Sequence, residues 1–271
     1  MKINLAIFLS FITFWGYSQN KKNDLQTDKL QGKVKSVSHQ IFNAIEKDGE
    51  IEISEAKSYN EYTLYNKWGN KIESILTDTK GDLYQTHKFF YDETGNLKEN
   101  IGYTLRGKLF VKSIYSYKEN FIIQTLNNDS GDFVGQYISK YEKGNLIESI
   151  SNNSNGSVKY KTINKFDKKG KLIESNNFDG NVLYKKCIFK NNQKENIIHK
   201  TCYSSTGIVI SDEFIKYDYR GNELEWWSSE LNSNKFKYEY KLDSKNNWIE
   251  KLVFKDGKPY EFYKRKIEYY K

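Results

Sequence analysis

The sequence predicts an all-β protein: tandem β-hairpin repeats of about 25 residues, laid side by side as an elongated, twisted antiparallel sheet. Three observations predict it. Aromatic residues make up 16% of the 271-residue chain, with 22 Tyr and 16 Phe against a single proline, Pro259. Aromatic and β-branched residues punctuated by Gly, Asn and Asp favour strands. Second, nearly the same segment recurs: YNKWGNKIES from Tyr65, YDETGNLKEN from Tyr91, YEKGNLIES from Tyr141, FDKKGKLIES from Phe166 and YDYRGNELEW from Tyr217, with Tyr117, Phe189 and Leu242 opening weaker copies. Third, a second set of glycines (Gly81, Gly107, Gly131, Gly156, Gly180 and Gly207) falls between the first. Each repeat therefore holds two turns and two strands of roughly eight or nine residues.

The N-terminus reads as a separate object. Lys2 precedes an apolar run from Ile3 to Trp15, followed by small or turn-tolerant residues at Gly16 to Ser18. That is the pattern of a signal peptide over residues 1–18, cut after Ser18. The run is too short to span a bilayer comfortably and no second one is long enough, so no membrane span is expected after its removal. The mature chain is expected in the periplasm or outside the cell. Residues 19–31 are polar and aperiodic and read as a flexible leader. The repeat domain is expected over residues 32–271, opening with LQGKVKSVSHQIF and a first turn at Lys47-Asp48-Gly49.

Within a repeat, Asp92-Glu93-Thr94-Gly95 suits a type I turn, with Asp bonding the backbone ahead of it and Gly at positive φ. Such a turn closes a hairpin with a bulge. The hairpin is expected to set Tyr91 opposite Leu97 and Phe89 opposite Glu99. Alternation then puts Tyr91, Leu97, Glu99, Ile101 and Tyr103 on one buried face. Glu73, Glu99, Glu148, Glu174, Glu225 and Glu250 each lie four residues past the turn Gly, or past its substitute Asn246. They read as a ladder of carboxylates paired with Lys or Tyr hydroxyls between stacked units. A row of acids for a cation or a sugar is the alternative.

The segments YDETGNLKE, FDKKGKLIE and YDYRGNELE resemble the tyrosine-aspartate (YD, or Rhs-type) repeats of bacterial exported proteins, and are similar to MORN-variant repeats, in which a Gly turn recurs about every 12 residues. The resemblance implies hairpins laid side by side in a long, curling sheet. In large Rhs-type proteins that sheet winds into a shell enclosing a toxin. Here the residue after the turn Gly is usually Asn where that family often has Arg, the repeats are too few for a closed container, and no toxin-like domain follows them.

Lys and Arg number 43 against 35 Asp and Glu, a net charge of +8. The basic residues are interleaved with acids and form no block, so nucleic acid is not an expected partner. None of the nucleotide-binding, zinc-protease or nucleophile-elbow motifs occurs, and His39, His87 and His199 are scattered over different repeats. No catalytic residue, cofactor or metal site is expected, and the protein does not read as an enzyme. Trp226, Trp227 and Trp248 cluster near the C-terminus and are the candidate binding surface, for sugar rings or a protein partner. Cys187 and Cys202, the only cysteines, flank a turn-like stretch from Asn191 to Asn196. A hairpin centred there sets them face to face, within reach of a disulfide, and an exported chain meets an oxidising compartment.

The resulting expectation is an exported, non-catalytic protein presenting an extended β-sheet surface to a protein partner at the cell envelope or outside it. A glycan-binding protein using the C-terminal aromatic residues, or an immunity or antitoxin protein, is the alternative. N-terminal sequencing of the exported protein is expected to begin at or near Gln19. A soluble cytoplasmic product retaining Met1 would overturn the export reading.

Overall fold

A computed structural model describes residues 23–56, 60–194, 196–230 and 233–271; the expected signal peptide lies outside them. The chain opens with a short helix, α1 (Asp24–Thr27), followed by β1 (Val34–Lys47), β2 (Glu50–Ala56), β3 (Asn60–Tyr65), β4 (Lys71–Thr77), β5 (Leu83–Tyr91), β6 (Leu97–Thr104), β7 (Leu109–Lys118), β8 (Phe121–Asn127) and β9 (Phe133–Glu142). It continues through β10 (Asn145–Asn153), β11 (Val158–Phe166), β12 (Leu172–Asp179), β13 (Val182–Asn191), β14 (Ile197–Ser204), β15 (Val209–Tyr217), β16 (Glu223–Ser228), β17 (Lys235–Leu242), β18 (Trp248–Lys255) and β19 (Lys258–Tyr269). From β3 to β19 each strand pairs antiparallel with the next.

The sheet does not stay open. β1 pairs with β19 from Val34↔Tyr269 to Asn43↔Glu261, and on its other edge with β3 from Ser36↔Leu64 to His39↔Glu61. The first and last strands thereby join, and β1 with β3 to β19 forms a closed barrel of 18 strands. This corrects the expected elongated sheet, and with it the YD/Rhs-type reading and the view that so few repeats could not close. Closure needs only that strand number, tilt and stagger agree, and eighteen strands meet that here. Beyond Asn43, β1 pairs only with β2, and this hairpin continues past the wall as a two-stranded arm with β2 exposed almost throughout. The barrel thus has an arm end and, where α1 sits, a helix end.

The recurring turns have one chemistry. Asp92 Oδ1 accepts from the amides of Thr94 (2.9 Å) and Asn96 (2.8 Å), the Gly95 amide donates to the Asp92 carbonyl (3.0 Å), and Gly95 stands at φ +79°. Asp78, Asp167, Asp218, Asp243, Asn66, Asn128 and Asn192 accept in the same two places. Asn246 takes the glycine position at φ 65°, a conformation Asn tolerates. Asn191, rather than Phe189, stands just before its turn, as Tyr65, Tyr91 and Tyr217 do before theirs.

The bulge that follows these turns corrects the expected facing of the side chains. Tyr91 pairs with Leu97, but Phe90 rather than Phe89 pairs with Glu99, leaving Lys98 as an extra residue. An extra residue reverses the alternation. Leu97 therefore shares a face with Tyr91, Phe89 and Asn100, while Glu99 shares the other with Ile101 and Tyr103. Ile72, Ile147, Ile173, Ile198, Leu224 and Ile249 are the equivalent extra residues.

The crowded face is the inner one. It carries Tyr65, Leu97, Tyr115, Ile122 and Tyr141, all under 9% exposed. Tyrosines and asparagines on it stitch four of the hairpins to the preceding one: Tyr91 Oη donates to the Lys71 carbonyl (2.7 Å), Tyr117 Oη to Leu97 (2.8 Å), Asn164 Nδ2 to Leu146 (3.0 Å) and Asn191 Nδ2 to Leu172 (2.6 Å). These acceptors all lie at the start of a bulge.

The repeated glutamates face outwards, and among the described residues four of the six, all but Glu73 and Glu148, form ion pairs with lysines on neighbouring strands. Glu99 pairs with Lys112 (2.5 Å), Glu174 with Lys165 (2.7 Å) and Lys186 (3.1 Å), Glu225 with Lys216 (3.2 Å) and Lys235 (3.0 Å), and Glu250 with Lys241 (3.2 Å). The hydrogen bond from Lys165, with those from Asn176 and Lys186, holds the Glu174 carboxyl down at about 2.

Residues 23–31, the described part of the expected flexible leader, pack onto the helix end. The Leu25 amide donates to the Gly69 carbonyl (3.0 Å), and Asp24 Oδ2 accepts from the Lys71 amide (2.7 Å) and Tyr91 Oη (2.9 Å). Asn247 exchanges two hydrogen bonds with the Gln31 backbone (2.7 and 2.9 Å). Leu25 and Leu30 are buried against Val34, Val37 and Tyr65. Gly69 is required here, because a Cβ would come within 2.5 Å of the Asn23 side chain.

On the inner wall Cys187 faces Cys202 and the two are joined by a disulfide across β13 and β14. With a sequence separation of 15, loop closure contributes up to about 3 kcal/mol in the chain-entropy model.

Leu97 is 4% exposed, so Leu97→Ala is expected to cost about 2–5 kcal/mol. Gly95→Val has open space for its side chain and should lose only the backbone term, about 1–2 kcal/mol. Urea denaturation followed by fluorescence and circular dichroism checks both. In a closed ring the two signals should move together, not repeat by repeat.

Candidate inner-wall site

The three tryptophans of the expected binding surface are not brought together. Trp227 faces outwards: its ring stacks on Phe214 (centroids 5.2 Å), which stacks on His199 (4.3 Å), with Lys216 and Lys235 at 5.4 and 5.9 Å. Trp226, its neighbour in sequence, faces inwards near the arm end and packs against Phe236 (5.7 Å). Trp248 also faces inwards, but at the helix end, opposite Leu242. Adjacent residues on a strand point to opposite sides, which parts Trp226 from Trp227; strand length parts Trp226 from Trp248.

Around Trp248 the structure assembles a group that sequence reasoning missed. The Arg265 guanidinium lies 3.4 Å from the Trp248 ring centroid, and Lys251 Nζ lies 5.5 Å from the same centroid and 3.8 Å from that of Tyr263. His39 stands edge-on to Trp248 (6.0 Å) and Tyr263 (6.2 Å), and Tyr240 is 6.4 Å from Trp248. Pairing explains the convergence. Lys251 is opposite both Tyr240 and Tyr263, and Arg265 is opposite His39. The bulge at Ile249 puts Trp248 in phase with Lys251, away from Glu250.

Among the described residues neither cation has an ion-pair partner, and Arg265 Nε is buried without a hydrogen-bond acceptor. Glu223 and Glu261 act on Lys251 electrostatically, and Asp28 and Glu61 on Arg265, and three of these four carboxylates are held elsewhere. Glu61 accepts from Thr63 and Ser74 hydroxyls (3.3 Å each), Asp28 from Tyr65 (2.7 Å) and Lys71 (3.3 Å), and Glu261 from Tyr263 (2.6 Å). Burial lowers the Arg265 guanidinium to about 10. Burial, and then the charge of Arg265, lowers the Lys251 ammonium. Burial, with Arg265 next, brings His39 down to about 4, against the opposing pull of Glu61.

The arrangement places two unpaired cations and a neutral imidazole on an aromatic wall facing the barrel interior. It contains no nucleophile paired with a base. His87 and His199 lie on β5 and β14, apart from His39, and among the described residues no group of three metal-ligating side chains converges. One signal was present in the sequence: Tyr263, Arg265, Ile267 and Tyr269 alternate in plain sight, with a cation in the aromatic phase. The bulge hid Lys251.

No family model and no curated protein matches the chain. Among solved structures, a porin-like protein from Bacteroides uniformis aligns over 87% of this chain and 98% of its own, at 10% identity and a TM-score of 0.48. A DUF1329 family protein from Desulfovibrio piger aligns over 87% and 86%, at 9% identity and a TM-score of 0.24. The complex TcdB2-TccC3-Cdc42 aligns over 83% of this chain and 16% of its own, at 11% identity and a TM-score of 0.22.

His39 ties stability to pH. Its folded-state value of about 4 lies below the unfolded 6.5, so the unfolded chain takes up a proton first as pH falls. The contribution of the neutral imidazole is complete above pH 6.5 and is lost on the way down to about 4, on the order of 3 kcal/mol. His39→Gln is expected to flatten the decline in stability between pH 7 and 4.5, measured by urea denaturation against the wild type.

Proposed function

We propose that this is an exported, non-catalytic binding protein of the cell envelope, a barrel that stands in water and takes its ligand on the inner wall. One observation carries the reading: the two faces of the wall are sorted. The outer face has Lys–Glu pairs, with Lys112 (to Glu99) and Lys186 (to Glu174) near the middle of their strands and Lys165, Lys216 and Lys235 (to Glu174 and Glu225) towards the strand ends. Exposed aliphatic residues there, such as Ile72, Ile114, Ile173 and Leu224, are interleaved with those charges. A lipid-facing barrel presents a continuous apolar band about 25 Å tall, and a lysine at its midplane costs about 2–4 kcal/mol. The inner face instead carries the buried tyrosines Tyr65, Tyr115 and Tyr141 and the unpaired cations, in a barrel with enough strands to leave space inside.

A second reading, a protein partner, is favoured by the arm. β2 is hydrogen-bonded only to β1 among the described residues, so its other edge is unpaired, and Ile45, Ile51 and Ile53 are each more than 40% exposed. A free edge of this kind is where an extended segment adds as another strand.

The exported protein is expected to purify from the periplasmic or culture fraction without detergent, as a single monodisperse species, and to carry no current across a planar bilayer. A requirement for detergent, or channel conductance, would overturn the water-standing reading.

A further inference from the structure

We infer that Lys251 and Arg265 form a binding site for an oxyanion, a carboxylate, sulfate or phosphate group, either free or carried on a sugar. The inference rests on the inner wall being the working surface and names the chemistry that surface takes.

The geometry argues it in three steps. The two cations flank one ring, at 3.4 and 5.5 Å from the Trp248 centroid, so they are held close together. Like charges placed together and partly withdrawn from water are costly unless a counter-charge completes them. No carboxylate of the described residues comes within ion-pair distance of either: Glu61, Asp28 and Glu261 are tied to hydroxyls or to Lys71, and Glu223, on the same inner face, acts on Lys251 only at longer range. Arg265 Nε is buried without an acceptor, so the guanidinium is left without its full set of partners, and the half-buried side chain can meet a planar oxyanion through its remaining nitrogens.

The site is also within reach. Trp248, Lys251 and Arg265 are half-buried, and Glu61, on the same inner face and paired with His39 in β1, is exposed. Water therefore reaches this stretch of wall from inside the barrel. The faces of Trp248 and Tyr263 are already engaged by cations, so the anionic group, and not ring stacking, is the feature recognised.

Isothermal titration of the full exported chain at low ionic strength with sodium sulfate, inorganic phosphate, glucuronate and neutral glucose tests this. At least one of the three anions is expected to bind at a single saturable site and to raise Tm. Arg265→Gln and Lys251→Met should each weaken binding at least tenfold. Lys264→Met, on the outer face of β19 beside Arg265, should leave it within twofold. Glucuronate binding at least tenfold tighter than sulfate assigns the group to a sugar, and equal binding assigns it to a free oxyanion; both support the site. Absence of a saturable site for all three anions overturns the inference, as does an equal loss in Lys264→Met or binding of glucose alone. Should Arg265→Gln fail to fold, Lys251→Met decides alone. A detergent requirement with anion binding intact would sink the water-standing reading and leave this site in place. Monodisperse detergent-free protein that binds none of the anions would do the reverse.

Discussion

The ladder that β1 makes with β19 on one side and β3 on the other is the constraint on which the rest of the structure depends. A two-stranded hairpin is marginal on its own, and an open array leaves two edges of unpaired amides and carbonyls. Joining Val37 to Ile267 and to Thr63 at once removes both edges. It also creates an inside, which an open sheet does not have. The N-terminal segment strengthens the seam: Asn247 holds Gln31, and Tyr270 Oη donates to the Tyr65 carbonyl (2.6 Å), so both ends of the described chain meet at the helix end.

Within that ring a single extra residue per hairpin decides what faces where. The Asx turn with its positive-φ residue brings the chain round, and the bulge after it reverses the alternation. Without the bulge Glu99 would lie beside Tyr91 on the crowded face. With it, the glutamates reach Lys112, Lys165, Lys216 and their neighbours on the outer face. Exposed pairs of this kind add little stability individually. Their effect is on location, since they give the barrel a charged outer face.

The inner wall differs from one sector to another. Near β13 and β14 it is tied by the Cys187–Cys202 bridge and lined by small residues such as Ser175. Around β18, β19 and β1 it is aromatic and carries Lys251 and Arg265, whose charges repel each other and form an ion pair with no described carboxylate, Glu223 and Glu261 acting on Lys251 only at longer range. Nothing in the packing of the barrel requires two cations there. Apolar residues of similar length would fill the same wall at lower cost, and groups so placed point to a ligand.

The sequence by itself determined the all-β class, the period, the turns and the residues at them, because these rest on contacts within a few residues. Asp92 and Gly95 sit in one turn, and their chemistry is legible without any neighbour. The facing of Glu99 was within reach but misjudged, because a bulge is invisible to strict alternation. What only the tertiary structure decided was closure and everything that closure creates. Val37 meets Ile267, and His39 meets Arg265, across nearly the whole length of the chain, and no local pattern encodes that pairing. The same distance explains the site. Trp226, Trp227 and Trp248 are near in sequence and apart in space. Arg265, Lys251 and His39 come from three strands and meet only because the last strand returns to the first.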